Sequence, residues 1–66
     1  MLNSLKLEKE LTKLRADHEV IEEKIAQEIR KKVVNQFEVQ KMKKEKLTLK
    51  ERISEIEALL VDNIVA

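Results

Sequence analysis

His18 and Glu22 are the two side chains whose types and spacing come closest to a chemical site. They stand four residues apart, so a helix would place an imidazole and a carboxylate on one face, where they could jointly bind a metal ion. The chain has one histidine and no cysteine, and no His-Glu-x-x-His arrangement completes a zinc site. We therefore predict no metal and no cofactor, and we interpret His18 as a polar residue in a helix seam that sets register or oligomer order.

A belt of basic side chains is the second candidate site. Eight of them gather in the middle of the chain: Arg30, Lys31, Lys32, Lys41, Lys43, Lys44, Lys46 and Lys50. Clustered positive charge attracts phosphate, but no aromatic residue lies among these lysines to stack on bases. We interpret the belt as a solvated face balanced by acids of the same protein. Its lysines from Lys41 to Lys50 remain a possible partner surface, and weak, non-specific nucleic-acid binding is the alternative function.

The sequence predicts no enzyme. It has no Ser/His/Asp or Cys/His arrangement, and without any glycine it has no phosphate-binding loop. The neighbouring carboxylates of Glu22 and Glu23 are expected on a solvent-facing surface, where they form no shielded acid/base pair.

Composition points to helices and coiled coils. Charged residues make up 41% of the 66 residues and hydrophobic residues 42%, with no Gly and no Pro. No apolar run approaches the ~18 residues of a membrane span, so we expect no membrane partner and a cytoplasmic protein. The net charge is +1 overall, yet residues 30–52 carry +6 and residues 53–66 carry −3. This segregation indicates that oppositely charged segments face each other.

Two apolar stripes with heptad spacing organise the chain. Apolar residues and His18 recur at alternating intervals of three and four, with charged residues between them. The stripe breaks at Glu28, Lys32 and Asn35, and it includes Lys46 at a seam position of the second half. The predicted seam is Leu7, Leu11, Leu14, His18, Ile21, Ile25, Val39, Met42, Leu49, Ile53, Ile56 and Leu60.

Two architectures fit this pattern. In one, the chain turns back at the break and forms an antiparallel two-helix hairpin, which would set Glu19, Glu22, Glu23 and Glu28 along Lys41, Lys43, Lys44 and Lys46. It would also bring Leu2 and Leu5 to Leu60, Ile64 and Val65. In the other, one helix of about 60 residues pairs in parallel with a copy of itself, since the heptad register is unbroken. We favour the hairpin because three consecutive seam positions are polar.

The hairpin prediction has definite bounds within a single domain, 1–66. We expect helix 1 over about 4–31 with Asn3 or Ser4 as its N-cap, a turn over about 32–35, and helix 2 over about 36–62. Asn35 would cap helix 2, and Glu38 would reach back to it as in a capping box. One hairpin leaves apolar faces exposed to water. We therefore predict a homodimer in which two hairpins form a four-helix bundle with coiled-coil-like packing. Phe37 and Leu47 are expected to be structural.

Two segments resemble the YdcH-like family of small bacterial proteins of unknown function. The run from Lys43 to Ile53, KKEKLTLKERI, is similar to that family's K-x-K-L-x-L-K-[DE]-E-I core, and His18 to Ile25 is similar to its H-x-x-L-D-x-x-I segment. The resemblance implies a small cytoplasmic helical oligomer with no known catalytic residues. This chain departs from the pattern at Arg52, where the family usually has an acid, and at Val33-Val34-Asn35, where the family has a polar loop.

These observations together predict a non-enzymatic helical interaction or scaffold protein. It would bind a copy of itself through its Leu/Ile seams, and another protein through its mixed-charge faces.

Overall fold

The computed structural model describes residues 4–65, with side chains described for residues 4–61. Within that range the chain forms two helices, α1 over Ser4–Ile29 and α2 over Gln36–Val65, and no strand. The helices pack against each other along their length in a body of 52 × 15 × 15 Å. The prediction of an all-α, two-helix fold is confirmed, and the continuous rod is excluded because the chain reverses direction between the helices.

The observed bounds of the helices differ slightly from the expected ones. α1 ends at Ile29, two residues before the predicted boundary, and α2 continues to Val65, three residues beyond it. α1 begins at Ser4, and the alternative cap, Asn3, lies outside the described residues. The connection is therefore residues 30–35, and it reverses the chain without glycine, proline or a positive φ angle.

Glu28 and Asn35 hold this connection together. At the end of α1 the backbone N–H of Lys31 donates to the Glu28 carbonyl at 3.2 Å, which tightens the last turn. The Asn35 side chain then accepts from the Glu38 N–H at 3.2 Å, so Asn35 caps α2 as predicted. The other hydrogen bond of the expected capping box is different. The Asn35 N–H donates to the Glu28 carboxylate at 3.2 Å, whereas a capping box would have it donate to the Glu38 carboxylate.

Ion pairs between the helices establish an antiparallel register. Glu10 contacts Arg52 at 3.1 Å, Arg15 contacts Glu57 at 3.7 Å, and Glu22 contacts Lys46 at 3.8 Å. With Leu11 and Ile53 at position a of the heptad, the first pair joins two g positions and the second joins two e positions. These flanking positions meet when two helices run in opposite directions. Leu11 is consequently level with Ile56, and Val20 is level with Leu47.

Part of the buried core lies at the end of the hairpin away from the connection. Leu7, Leu11 and Ile56 form a buried cluster, and Ile56 is completely inaccessible to solvent. Partly buried apolar residues surround the cluster: Leu14, Ile53, Leu59 and Leu60. The expected contact of Leu2 with Ile64 and Val65 lies outside the described side chains.

Two residues expected to be structural prove to be surface residues. Phe37, in the first turn of α2, is 76% exposed, and Leu47 is 56% exposed. Leu47 occupies a heptad position that points away from α1, so its apolar character does not contribute to the hairpin core. Both therefore belong to the surface that is open to other molecules.

Candidate interaction site

The predicted seam divides into a buried and a half-buried set within the hairpin. Six residues are buried: Leu7, Leu11, Ile21, Ile25, Val39 and Ile56. The other six are half-buried: Leu14, His18, Met42, Leu49, Ile53 and Leu60. The seam residues therefore cover one another between the helices, and half of them keep apolar surface accessible to a further partner.

One small polar cluster contains three residues that the sequence singled out: His18, Glu22 and Lys46. The Glu22 Oε1 atom lies 3.1 Å from the His18 Nδ1 atom and 3.8 Å from the Lys46 Nζ atom. The His18 Nε2 atom is buried and has no hydrogen-bond partner in the part of the chain that the structure describes. No group of three or more His, Cys, Asp or Glu side chains there could hold a metal ion. The cluster is a polar crosslink between the helices.

Arg52 makes the most extensive polar contacts between the helices. Its Nε and Nη2 atoms donate to the Glu10 carboxylate at 3.3 and 3.1 Å, and its Nη1 atom donates to Glu55 at 3.2 Å. The hydrogen bond to Glu55, and then the one to Glu10, hold the pKa of Arg52 above its ordinary value. The position at which this chain departs from the YdcH-like pattern is thus occupied by a residue that joins both helices.

A groove of about 600 Å³ opens on one side of the hairpin at its middle. Val20, Ile21 and Leu49 supply apolar lining. The charged residues of the groove are Asp17 and Glu45, both acidic, and Lys24, Lys41 and Lys44. Asp17 and Glu45 occupy opposing g positions, where opposite charges would form an ion pair like that of Glu10 with Arg52. Since both are acidic, no ion pair closes this part of the edge, and the apolar floor stays accessible.

The basic belt is divided between two sides of the hairpin. Lys41 and Lys44 line the groove, whereas Lys46 lies on the opposite side with Glu22. Helical periodicity places Lys43 and Lys50 on that opposite side as well. Among residues 4–61, Lys41, Lys43, Lys44 and Lys50 are exposed and make no ion pair. The expected alignment of four acids with four lysines is therefore reduced to the single pair of Glu22 with Lys46.

Glu28 is the residue whose role the sequence did not reveal. Lys31 contacts the Glu28 carboxylate at 2.6 Å, and this hydrogen bond, followed by the one from the Asn35 N–H, holds the pKa of Glu28 below its ordinary value. In the heptad pattern Glu28 only marked a break in the seam. The spacing of seven residues between Glu28 and Asn35 gives no local signal, because they meet only after the chain has turned.

Comparisons with known proteins give one finding. The family model described as "Protein of unknown function (DUF465)" matches residues 11–57. No curated protein and no solved structure shows a significant match to the chain. The matched residues contain both segments that resemble the YdcH-like family, so the family resemblance is confirmed. No described helix is long and apolar enough to cross a membrane.

Proposed function

The chain belongs to the DUF465 family, whose function is unknown, and from this premise we propose that it is a non-enzymatic helical interaction module that self-associates as a homodimer. The observation that carries the proposal is the incomplete burial of its seam. Leu14, Met42, Leu49, Ile53 and Leu60 stay half-buried when the helices are packed together. Interior side chains of a stable domain are buried to a greater extent, and a second copy would remove this surface from water.

The open shape of the hairpin also supports a binding role over a catalytic one. The groove lies between two helices and faces solvent, so it cannot exclude water from reacting groups. Its carboxylates, those of Asp17 and Glu45, accompany three lysines at the surface. Such mixed charges suit recognition of another protein surface, and we assign this role to the cytoplasm, whose reducing conditions suit a chain without cysteine.

Sedimentation equilibrium at micromolar concentration tests self-association. We expect a mass of twice 7.8 kDa, with a monomer fraction that rises on dilution. Circular dichroism on the same samples should show that helix content falls as the dimer dissociates. A fully helical, stable monomer at every concentration would contradict the proposal.

Binding of nucleic acid is the second candidate function. The observation that favours it is the exposure of Lys41, Lys43, Lys44 and Lys50 without acidic partners among the described residues. The division of these lysines between two sides weakens it, because one phosphate backbone would follow one continuous basic track. Fluorescence anisotropy with labelled duplex and single-stranded RNA at ~50 mM salt tests this function, since phosphate contacts would give affinity that falls steeply with added salt.

A further inference from the structure

We propose that the tip of the hairpin binds an anionic membrane surface, with apolar side chains at the edge of the lipid and basic side chains among the headgroups. The tip is residues 29–41, which are the last residue of α1, the connection and the first turns of α2. The contact goes beyond the proposed self-association, because the exposed side chains of the tip are not part of the seam. A surface contact needs no spanning helix, whereas the expectation of no membrane partner rested on spanning length alone.

Exposed apolar side chains are concentrated at the tip. Val33, in the connection, is 85% exposed, and Phe37, in the first turn of α2, is nearly as exposed. No other large apolar residue among the described side chains is as open to water as these two, and the exposed Ile29 adjoins them at the end of α1. A patch of this kind marks a contact site for another protein or for a membrane.

Basic side chains accompany the apolar ones at the tip. Arg30 and Lys32 are exposed and make no ion pair among residues 4–61. Lys41 stands four residues after Phe37, so it shares a helix face with Phe37 and lies about 6 Å farther from the tip. Interfacial segments insert their apolar side chains ~5–10 Å into the boundary between headgroups and acyl chains. Lys41 would therefore be level with the headgroups when Phe37 reaches this boundary.

The charges of the hairpin are polarised along its length. The tip has four basic residues and one acid, Glu38, while the nearby Glu28 carboxylate is already bound by Lys31 and the Asn35 N–H. At the opposite end, residues 53–61 contain two acids and no base, and residues 4–12 contain two of each. An anionic surface would attract the tip and repel the opposite end, so the hairpin would stand on its tip.

The small size of the tip favours a lipid surface over a protein partner. The end of a body 15 × 15 Å in cross-section offers roughly 225 Å² in projection, whereas a standard protein interface buries ~800 Å² per partner. A lipid surface requires no minimum area, because each inserted apolar group adds to the affinity. Each Lys or Arg near an anionic surface raises the affinity roughly fivefold.

RNA is the other polyanion that suits a basic tip with an aromatic ring. The Phe37 ring could stack on a base. Val33 and Ile29 are aliphatic, however, and neither base stacking nor phosphate contact makes use of them. Insertion into a lipid surface uses all three apolar side chains, so the composition of the tip favours the membrane.

Vesicle co-sedimentation tests the contact. The probes are vesicles of phosphatidylcholine alone and of phosphatidylcholine with about one-third phosphatidylglycerol. We expect binding to the anionic vesicles only, with an affinity that falls as salt is added. Phe37→Ala should lower this affinity at least about tenfold, because it removes the largest inserted side chain. Leu47→Ala is the matched control, since Leu47 is exposed and distant from the tip, and it should bind like the native chain.

A matched pair of charge variants tests the role of the basic side chains. Lys32→Gln should lower the affinity for anionic vesicles roughly fivefold. Lys50→Gln removes the same charge from another exposed lysine that has no ion pair among the described residues. Lys50 lies about 20 Å from Phe37 along α2, which is about two Debye lengths at physiological salt, so its loss should have little effect.

Tryptophan fluorescence tests insertion directly, because the chain has no tryptophan of its own. The emission of Phe37→Trp should shift to shorter wavelength when anionic vesicles are added, since its ring leaves water. Leu47→Trp should keep its spectrum. Circular dichroism verifies that each variant remains helical.

Three results would overturn the proposal. The first is a native chain that does not bind anionic vesicles. The second is binding that is equally strong for Phe37→Ala and Leu47→Ala, without a shift for Phe37→Trp, since adsorption would then not involve the tip. The third is a Phe37→Trp signal that responds to single-stranded RNA and not to vesicles, which would make the tip a nucleic-acid site.

Sedimentation equilibrium without vesicles separates this inference from the proposed self-association. Phe37→Ala should dimerise like the native chain, because Phe37 lies outside the seam. Loss of the dimer in this variant would assign the tip to contact with the second copy and would overturn the membrane contact. A native chain that is monomeric and yet binds anionic vesicles through Phe37 would contradict self-association alone.

Discussion

The backbone N–H of Asn35 donates a hydrogen bond to the carboxylate of Glu28, 3.2 Å away and seven residues earlier in the chain. The same Asn35 accepts a hydrogen bond from the Glu38 N–H through its side chain. The residue that caps α2 is thus bound to the last turn of α1, and the reversal of the chain and the cap of the second helix depend on the same contacts.

Asn35→Ala should lower the free energy of unfolding by about 1 kcal/mol, because it removes the side-chain acceptor of an N-cap. Urea denaturation followed by circular dichroism at one fixed protein concentration measures the change. Asn35→Asp is the control, since aspartate caps helices about as well as asparagine, and it should retain most of the stability. Equal stability of the native protein and Asn35→Ala would show that the cap does not stabilise the hairpin.

Acidification should weaken the connection through Glu28. Its pKa is lowered in the folded protein by Lys31 and then by the Asn35 N–H, so the stabilisation it provides is present above its ordinary value of 4.5 and is lost as the pH falls through the lower folded value. Other carboxylates titrate in the same range. The measurement is therefore the difference in melting temperature between the native protein and Glu28→Gln as a function of pH.

We expect that difference to be largest near neutral pH and to shrink as the pH falls below 4.5. Glu23→Gln is a matched control, because Glu23 is exposed and makes no ion pair among the described residues. A difference that stays constant across the acidic range would remove Glu28 as the source of the effect.

Ile56→Ala should be among the most destabilising single substitutions, at ~2–5 kcal/mol, because it leaves a cavity beside Leu7 and Leu11. Ile56 is completely buried, whereas Phe37 is 76% exposed. Phe37→Ala removes a larger side chain but should change stability by less than ~0.5 kcal/mol. Thermal and urea unfolding of both variants give the comparison, and a Phe37 effect as large as that of Ile56 would indicate that Phe37 is buried in an assembly.

His18→Leu should stabilise the protein by roughly 1 kcal/mol near neutral pH. The buried Nε2 atom of His18 lacks a partner in the described part of the chain, and an unsatisfied buried polar atom costs about 1–3 kcal/mol. Leucine would fill the seam position with apolar volume, although the polar contact with Glu22 is lost. Unfolding measurements combined with sedimentation also show whether the polar residue limits the oligomer order. A destabilised variant would mean that the contact of His18 with Glu22 stabilises the protein by more than burial of the Nε2 atom costs.

Spin labels at Thr12 and Ser54 test the hairpin itself. Both positions are exposed, so labelling through introduced cysteines leaves the core intact. In the hairpin they are at nearly the same level on adjacent helices, and we expect them to lie close together within one chain. In a continuous helix they would be separated by about 63 Å at 1.5 Å per residue. Dilution with unlabelled protein distinguishes the distance within a chain from that between chains.

The sequence predicts the seam well because the seam follows from short-range periodicity, and it favours the hairpin because three consecutive seam positions are polar. The alternation of three and four from Leu7 to Ile25, and again from Val39 to Leu60, identifies the inward-facing side of each helix. The pair of Glu22 with Lys46 follows once the turn is placed near Asn35. These features require only local spacing and one reversal point.

The features that the sequence does not predict depend on contacts across the turn. In the sequence, Glu28 only interrupts the seam. In the structure, the reversal of the chain brings its carboxylate to the Asn35 N–H. Asp17 and Glu45 line the groove from opposing positions, and their opposition exists only in the antiparallel register. Leu47 is apolar and lies within a motif, yet its helical position points outward.

The cluster of Leu7, Leu11 and Ile56 at the end away from the connection has a consequence for synthesis of the protein on the ribosome. Leu7 and Leu11 emerge early, but the residue that covers them, Ile56, is made 45 to 49 positions later. A short nascent α1 is at best marginally helical in water, because most helix stability comes from packing of its apolar face. Leu7 and Leu11 therefore stay uncovered until translation has passed Leu60, so we expect this end of the hairpin to close only when the last turns of α2 have left the ribosome.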